Sequence, residues 1–208
     1  MGLDIYFHKV ANVRKSKNDV FDMTIEDLSN LAHNREKARV KRFCNKVIRD
    51  LSKLEGAEYE EYYKKVFPNK VKKYTKYEWK YEKMVEKVQP LEEVKKWLDN
   101  FLECCYKDSD AYFRKVNFVY KYFEPKLEDE CCLVSKTDLE DLIARCDAVL
   151  NNHDLAESLL PTTSGFFFGS TEYDDWYFAD VKDARSQFKK LLRGFHDDTD
   201  VIYVVMSW

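Results

Sequence analysis

The two ends of the chain are patterned as β-strands, while most of what lies between them is patterned for helices. Residues 3–8 alternate, with Leu3, Ile5 and Phe7 on one side and Asp4, Tyr6 and His8 on the other. This is the period-two signature of a half-buried strand. Residues 201–206 (Val-Ile-Tyr-Val-Val-Met) are β-branched and aromatic and apolar on both sides. Strands at opposite ends of a chain need partners, and the simplest solution brings both into one sheet. Two shorter apolar runs are further strand candidates, Phe166–Phe168 between Gly165 and Gly169, and Cys131–Val134. The expected class is α+β: a small, mostly antiparallel sheet from residues 3–8, 166–168, 201–206 and 131–134, covered by several helices.

The helical middle carries its own punctuation. Thr24 followed by Asp27 resembles a capping box and starts a helix that runs to about Leu54, with a break near Asn34 and Gly56 as its stop. Residues 57–88 read as one or two helices interrupted at Pro68, and residues 91–106 as an amphipathic helix. Asp108 is placed to cap a helix reaching Phe123 before Pro125, and Thr137-x-x-Glu140 to cap another. The last helix is expected at about 179–195. Residues 1–208 are expected to form one domain, with about 57–106 as a helical elaboration within it.

Composition removes several classes. With 45% hydrophobic and 15% aromatic residues the chain has ample core material, which excludes disorder. Gly 5 and Pro 4 exclude collagen-like and linker-like chains. The net charge of −3 offers no global attraction to nucleic acid. The first residues lack the basic and apolar regions of a signal peptide, and no apolar run is long enough to span a membrane. The six cysteines form no CxxC and the four histidines no HxxxH. The cysteines therefore read as small buried side chains in a reducing cytoplasm, and no metal or cofactor is expected.

Three segments could carry chemistry. The first is residues 161–177, where two glycines flank three phenylalanines and a Ser-Thr-Glu-Tyr-Asp-Asp turn follows. Ser164, Ser170 and Thr171 offer hydroxyls, and Glu172, Asp174 and Asp175 carboxylates, with Tyr173 among them. Such a loop suits a polyhydroxylated or cationic ligand over an aromatic floor, and it lacks the pattern of a phosphate loop. A core strand entering a turn that caps the last helix is the plainer reading. The second segment holds Arg114 and Asn117, three apart on the expected helix, where Arg could grip a carboxylate or phosphate. A solvated helix face is the plainer reading. The third is residues 64–80, with seven lysines and one acid. Lys70, Lys72, Lys73, Lys76 and Trp79 would suit a single-stranded nucleic acid, and a lysine-rich solvated helix face is the plainer reading. A small hydrolase or transferase would require Asp4, His8 and Glu172 to converge.

Several of these segments together resemble a family of small phage and prophage proteins: the opening Met-Gly-Leu-Asp-Ile-Tyr, Tyr112 to Asn117, Val134-Ser135-Lys136, and Leu160 to Asp174 with its Gly-Phe-Phe-Phe-Gly-Ser-Thr-Glu-Tyr core. Residues 24–106 look like an insertion relative to shorter relatives. The resemblance implies an accessory protein made in the cytoplasm of an infected bacterium, and it supplies no catalytic residues. Phe113 and Tyr120 stand where the family pattern has Trp and His, which argues against catalysis on that segment. The leading expectation is a phage-type accessory protein that binds or sequesters a small molecule or host protein without turnover. Its ligand-binding residues would be Arg114, Asn117, Ser164, Ser170, Thr171, Glu172, Tyr173 and Asp174.

Overall fold

The computed structural model describes residues 2–14, 22–71, 87–104 and 109–208, with the side chains of 102–104 excepted. The chain divides into two compact units, residues 1–28 with 108–208, and residues 29–107.

The first unit is the α+β body. Strand β1 (Asp4–Val10) pairs antiparallel along its whole length with β4 (Val201–Ser207), Ile5 opposite Met206 and Phe7 opposite Val204. The sheet is completed by β2 (Ala111–Arg114) beside β1 and β3 (Cys131–Val134) beside β4, giving the order β2-β1-β4-β3, all antiparallel. Leu3, Ile5, Phe7, Ile202, Val204 and Met206 are buried on one face, as the alternation at residues 3–8 requires. Their core also takes in the apolar stripes of two helices at Lys136–Asn151 and Asp175–Leu192. Leu139, Leu142, Cys146 and Val149 come from the first, and Val181, Ala184, Phe188 and Leu191 from the second.

Two sequence expectations fail here for clear reasons. Residues 166–168 are a turn: the Phe168 N–H donates to the Gly165 carbonyl at 3.1 Å, and Phe166 is 95% exposed. Three consecutive apolar residues in a strand would need cover on both faces, and only Phe168 is buried. The fourth strand is instead 111–114, inside the segment expected to be helical. Ala111 and Phe113 point in while Tyr112 and Arg114 point out, a period of two that is only four residues long. Lys115 then turns at φ 60°, after its N–H has donated to the Leu3 carbonyl at 2.7 Å, and a helix begins at Asn117. β2 is an edge strand, and its outward backbone is not bare. The Gln187 side-chain amide accepts from the Tyr112 N–H at 3.0 Å and donates to the Tyr112 carbonyl at 3.1 Å.

The second unit is helical. It holds most of α1 (Ile25–Leu51), then α2 (Gly56–Lys65), α3 (Phe67–Val71) and α4 (Leu91–Cys104). The Thr24–Asp27 box forms at the start of α1: the Asp27 N–H donates to Thr24 Oγ1 at 3.1 Å and the Thr24 N–H to Asp27 Oδ2 at 3.0 Å. α1 continues unbroken through Asn34, and Gly56, at φ 50°, opens α2 rather than ending α1. Val47, Leu51, Tyr63, Phe67, Val94 and Leu98 are fully or almost fully buried at the centre of this unit. In chain order the remaining helices of the first unit are α5 (Asn117–Phe123), α6 (Lys136–Asn151), α7 (Ala156–Leu159) and α8 (Asp175–Leu192). No helix among the described residues is long and apolar enough to cross a membrane.

The cap of α6 lies two residues earlier than the sequence pattern suggests. Ser135 Oγ accepts from the Asp138 N–H at 3.1 Å, and Asp138 Oδ2 accepts from the Ser135 N–H at 3.0 Å. Ser135→Ala should therefore cost ~1 kcal/mol of stability, whereas Thr137→Ala should change it by less than ~0.5 kcal/mol. Urea unfolding of the two variants checks the assignment.

Candidate functional site

An open cleft of about 240 Å³ lies between the turn from β2 into α5 and the connection from α7 into α8. One wall is Lys115, Val116, Asn117 and Phe118. The other is Gly169, Ser170 and Glu172, followed by Asp174, Trp176, Tyr177 and Asp180 from the start of α8.

The Asn117 side chain bonds one wall to the other. Asn117 is 3% exposed, and its Nδ2 donates to the carbonyls of Ser170 at 2.8 Å and Phe168 at 3.3 Å. Both amide hydrogens are thus directed at the backbone on either side of Gly169. That glycine sits at φ 90°, and a methyl group built on it would approach Lys115 Cβ to 3.1 Å and the Lys115 carbonyl oxygen to 3.3 Å. Gly169 is needed both for its conformation and for the close approach. Further bonds brace the connection. The Leu3 N–H donates to the Phe167 carbonyl at 3.0 Å, Thr162 Oγ1 to the Thr171 carbonyl at 3.0 Å, and the Glu172 N–H to Ser170 Oγ at 3.1 Å. Phe168 is anchored by edge contacts with Tyr120 and Trp208, ring centroids 4.7 and 5.9 Å away.

The start of α8 supplies the charge. Asp174 caps the helix by accepting from the Tyr177 N–H at 2.9 Å, which places Trp176 and Asp180 one turn apart on the same helical face. Trp176 is 80% exposed. Asp180 is exposed at the rim of the cleft, and local loss of hydration there, then the neighbouring carboxylates Asp183 and Asp174, push its carboxyl above the ordinary carboxylate value of 3.8. The site therefore presents three carboxylates, Glu172, Asp174 and Asp180, beside a solvent-facing indole. Lys115 contributes aliphatic stem to its wall, with Cβ against Gly169.

The cleft gathers Asn117, Ser170, Glu172 and Asp174 from among the residues singled out in the sequence. It does not gather Arg114, Ser164, Thr171 or Tyr173. Arg114 is on β2, its side chain more than half exposed, and its Nη1 lies 3.4 Å from Asp4 Oδ1. The expected Arg114–Asn117 helical pair does not exist, because a strand ends and a left-handed residue intervenes between them. Ser164 is exposed outside the cleft, Thr171 acts through its carbonyl, and Tyr173 packs edge-on against Tyr177 at 4.9 Å. Lys115 and Trp176 lie within the two candidate segments without an assigned role there, and Asp180 lies outside them. Trp176 and Asp180 are legible as an i, i+4 pair once Asp174 is taken as the cap, which starts the helix at Asp175, four residues ahead of the expected start.

The alternative constellations are placed elsewhere. Asp4 accepts from the Tyr112 hydroxyl and pairs with Arg114, while His8 stacks on Tyr203 at 4.8 Å. Four residues of strand separate Asp4 from His8 by ~13 Å. Lys70 Nζ lies 2.6 Å from the Tyr62 hydroxyl and 3.1 Å from Asp50 Oδ2, where it clips α3 to α1. Lys72, Lys73, Lys76 and Trp79 lie outside the described residues. Cys44, Cys132 and Cys146 are buried free thiols, and burial pushes Cys132 up to about 11 and Cys146 to about 12, so both stay protonated. Among the described residues no group of three or more His, Cys, Asp or Glu is placed to hold a metal ion.

The chain has no significant match to a known protein-family model, a curated protein or a solved structure.

Removing the amide that joins the walls leaves two carbonyls without their donor. Asn117→Ala should cost ~1–3 kcal/mol. Gly169→Ala should cost ~1 kcal/mol or more through strain at positive φ. Arg114→Ala should leave the melting temperature nearly unchanged. Thermal unfolding of the three variants separates the wall-forming residues from Arg114.

Proposed function

We propose that the protein binds a cationic group in this cleft and holds it without turnover, acting as an accessory sequestering or masking protein. The observation that carries this reading is the juxtaposition of Glu172, Asp174 and Asp180 with the exposed Trp176 on braced walls. An ammonium or guanidinium group gains from the carboxylates and from the face of an indole, and anions are repelled. The carrier of the cation is a small molecule or a host protein. The ~13 Å of strand between Asp4 and His8 supports binding over acid–base catalysis by that set, since catalytic groups must reach one another directly or through one water. The resemblance to phage and prophage proteins agrees with an accessory role in the cytoplasm of an infected cell.

The raised Asp180 carboxyl gives the reading a signed pH dependence. Binding of a cation requires Asp180 ionised, so affinity should fall as pH drops through its raised value, at a higher pH than for a free aspartate. Stability runs the other way. A carboxyl raised by folding contributes stability at low pH that is lost as pH rises through the folded value. At neutral pH, Asp180→Asn should therefore weaken binding while leaving the melting temperature equal or slightly higher.

Calorimetric titration with N-acetyl-arginine amide and with spermidine tests the proposal. Saturable binding is expected. Glu172→Gln and Asp180→Asn should each weaken it about tenfold, the size of one charge-assisted contact, and Arg114→Ala should leave it unchanged. Binding of neither cation, or binding indifferent to Glu172 and Asp180, would remove the proposal.

A further inference from the structure

The segment that forms the cleft wall also carries the most exposed phenylalanine of the described residues. Phe166 is 95% exposed at the tip of the turn closed by the Phe168 N–H and the Gly165 carbonyl. It is not loosely held. The next residue, Phe167, packs perpendicular to it at 4.8 Å and is bonded through its carbonyl to Leu3, and Phe168 is buried. The backbone on which Phe166 stands is thus fixed before any partner arrives, which lowers the ordering cost of using it as an anchor. It stands three positions before Gly169 on the cleft wall, so the two Cα atoms lie within ~10 Å.

A small cation occupying the cleft beside Trp176 has no use for an aromatic ring that far along the wall. A peptide does. Exposed, rigidly mounted aromatic residues next to a pocket are the usual anchors of protein interfaces. The charge lining the cleft selects the partner's sign: Glu172, Asp174 and Asp180 outnumber its one basic residue, Lys115. Such a field draws in basic chains and turns away acidic ones and nucleic acid.

We infer that the cleft's occupant is a basic segment of another protein, with an arginine or lysine side chain entering between Glu172 and Trp176 while flanking apolar side chains pack on Phe166 and Trp176. This rests on the cation-binding reading above and narrows it to a macromolecular partner. Binding then has two components: a charged contact at the cleft that weakens with salt, and an apolar contact at Phe166 that does not.

Selection of short displayed peptides, each with a fixed central arginine and randomised flanks, against the full chain tests the inference, with N-acetyl-arginine amide as the small-cation control. The flanks should become enriched in aliphatic and aromatic residues. The best peptide should bind at least about tenfold more tightly than arginine amide, in keeping with one anchoring aromatic. Phe166→Ser should remove that advantage without changing the binding of arginine amide or the melting temperature, and Trp176→Ser should weaken both ligands. Unbiased flanks, no selection at all, or indifference to Phe166→Ser, with arginine amide still bound, would overturn the inference and leave a small-molecule site. Loss of arginine amide binding as well would mark the failure of the cation reading itself.

Discussion

Everything in the α+β unit depends on the pairing of β1 with β4, seven residues against seven from positions about two hundred apart in the chain. These are the two central strands, and both edge strands are docked on them. The pairing buries Ile5, Phe7, Val204 and Met206 together, and helices α6 and α8 use that apolar face as their floor. It also positions the site. The Leu3 backbone, one residue before β1, accepts from Lys115 with its carbonyl and donates to Phe167 with its N–H. Both walls of the cleft are thus hung from one residue at the start of the central strand.

The sheet's centre was legible because its two strands carry opposite but unambiguous signals, strict alternation at 3–8 and a β-branched run at 201–206. The edges were not. Ala111–Arg114 is too short to outvote the amphipathic spacing of the residues that follow it, and its turn depends on Lys115 adopting a left-handed conformation that no residue type there advertises. The triple phenylalanine misled in the other direction. Its composition is that of a buried strand, but its glycines allow a tight turn that exposes one ring, half-covers the next and buries the third.

The site was half legible for a related reason. Ser170, Glu172 and Asp174 were found because the glycine-flanked block is conspicuous, and Asn117 because an amide beside an arginine invites attention. The Asn117 Nδ2 is engaged with two backbone carbonyls, a bracing role its place beside an arginine does not suggest. Arg114 falls outside the cleft because the end of a strand, not a helical turn, separates it from Asn117. Trp176 and Asp180 carry no role in the sequence pattern because the cap at Asp174 moves the helix start, and with it the face on which these side chains fall.

The Gln187 amide on the outer backbone of β2 has a consequence for how copies of this chain can associate. By filling both hydrogen-bonding positions of Tyr112 it denies that border of the sheet to a strand from a neighbouring molecule. Among the described residues the β3 border is the one left for strand addition, and a molecule with one usable border joins one other by a twofold operation and then has none left. Such association ends at a pair, and the route to a fibre through this sheet is closed.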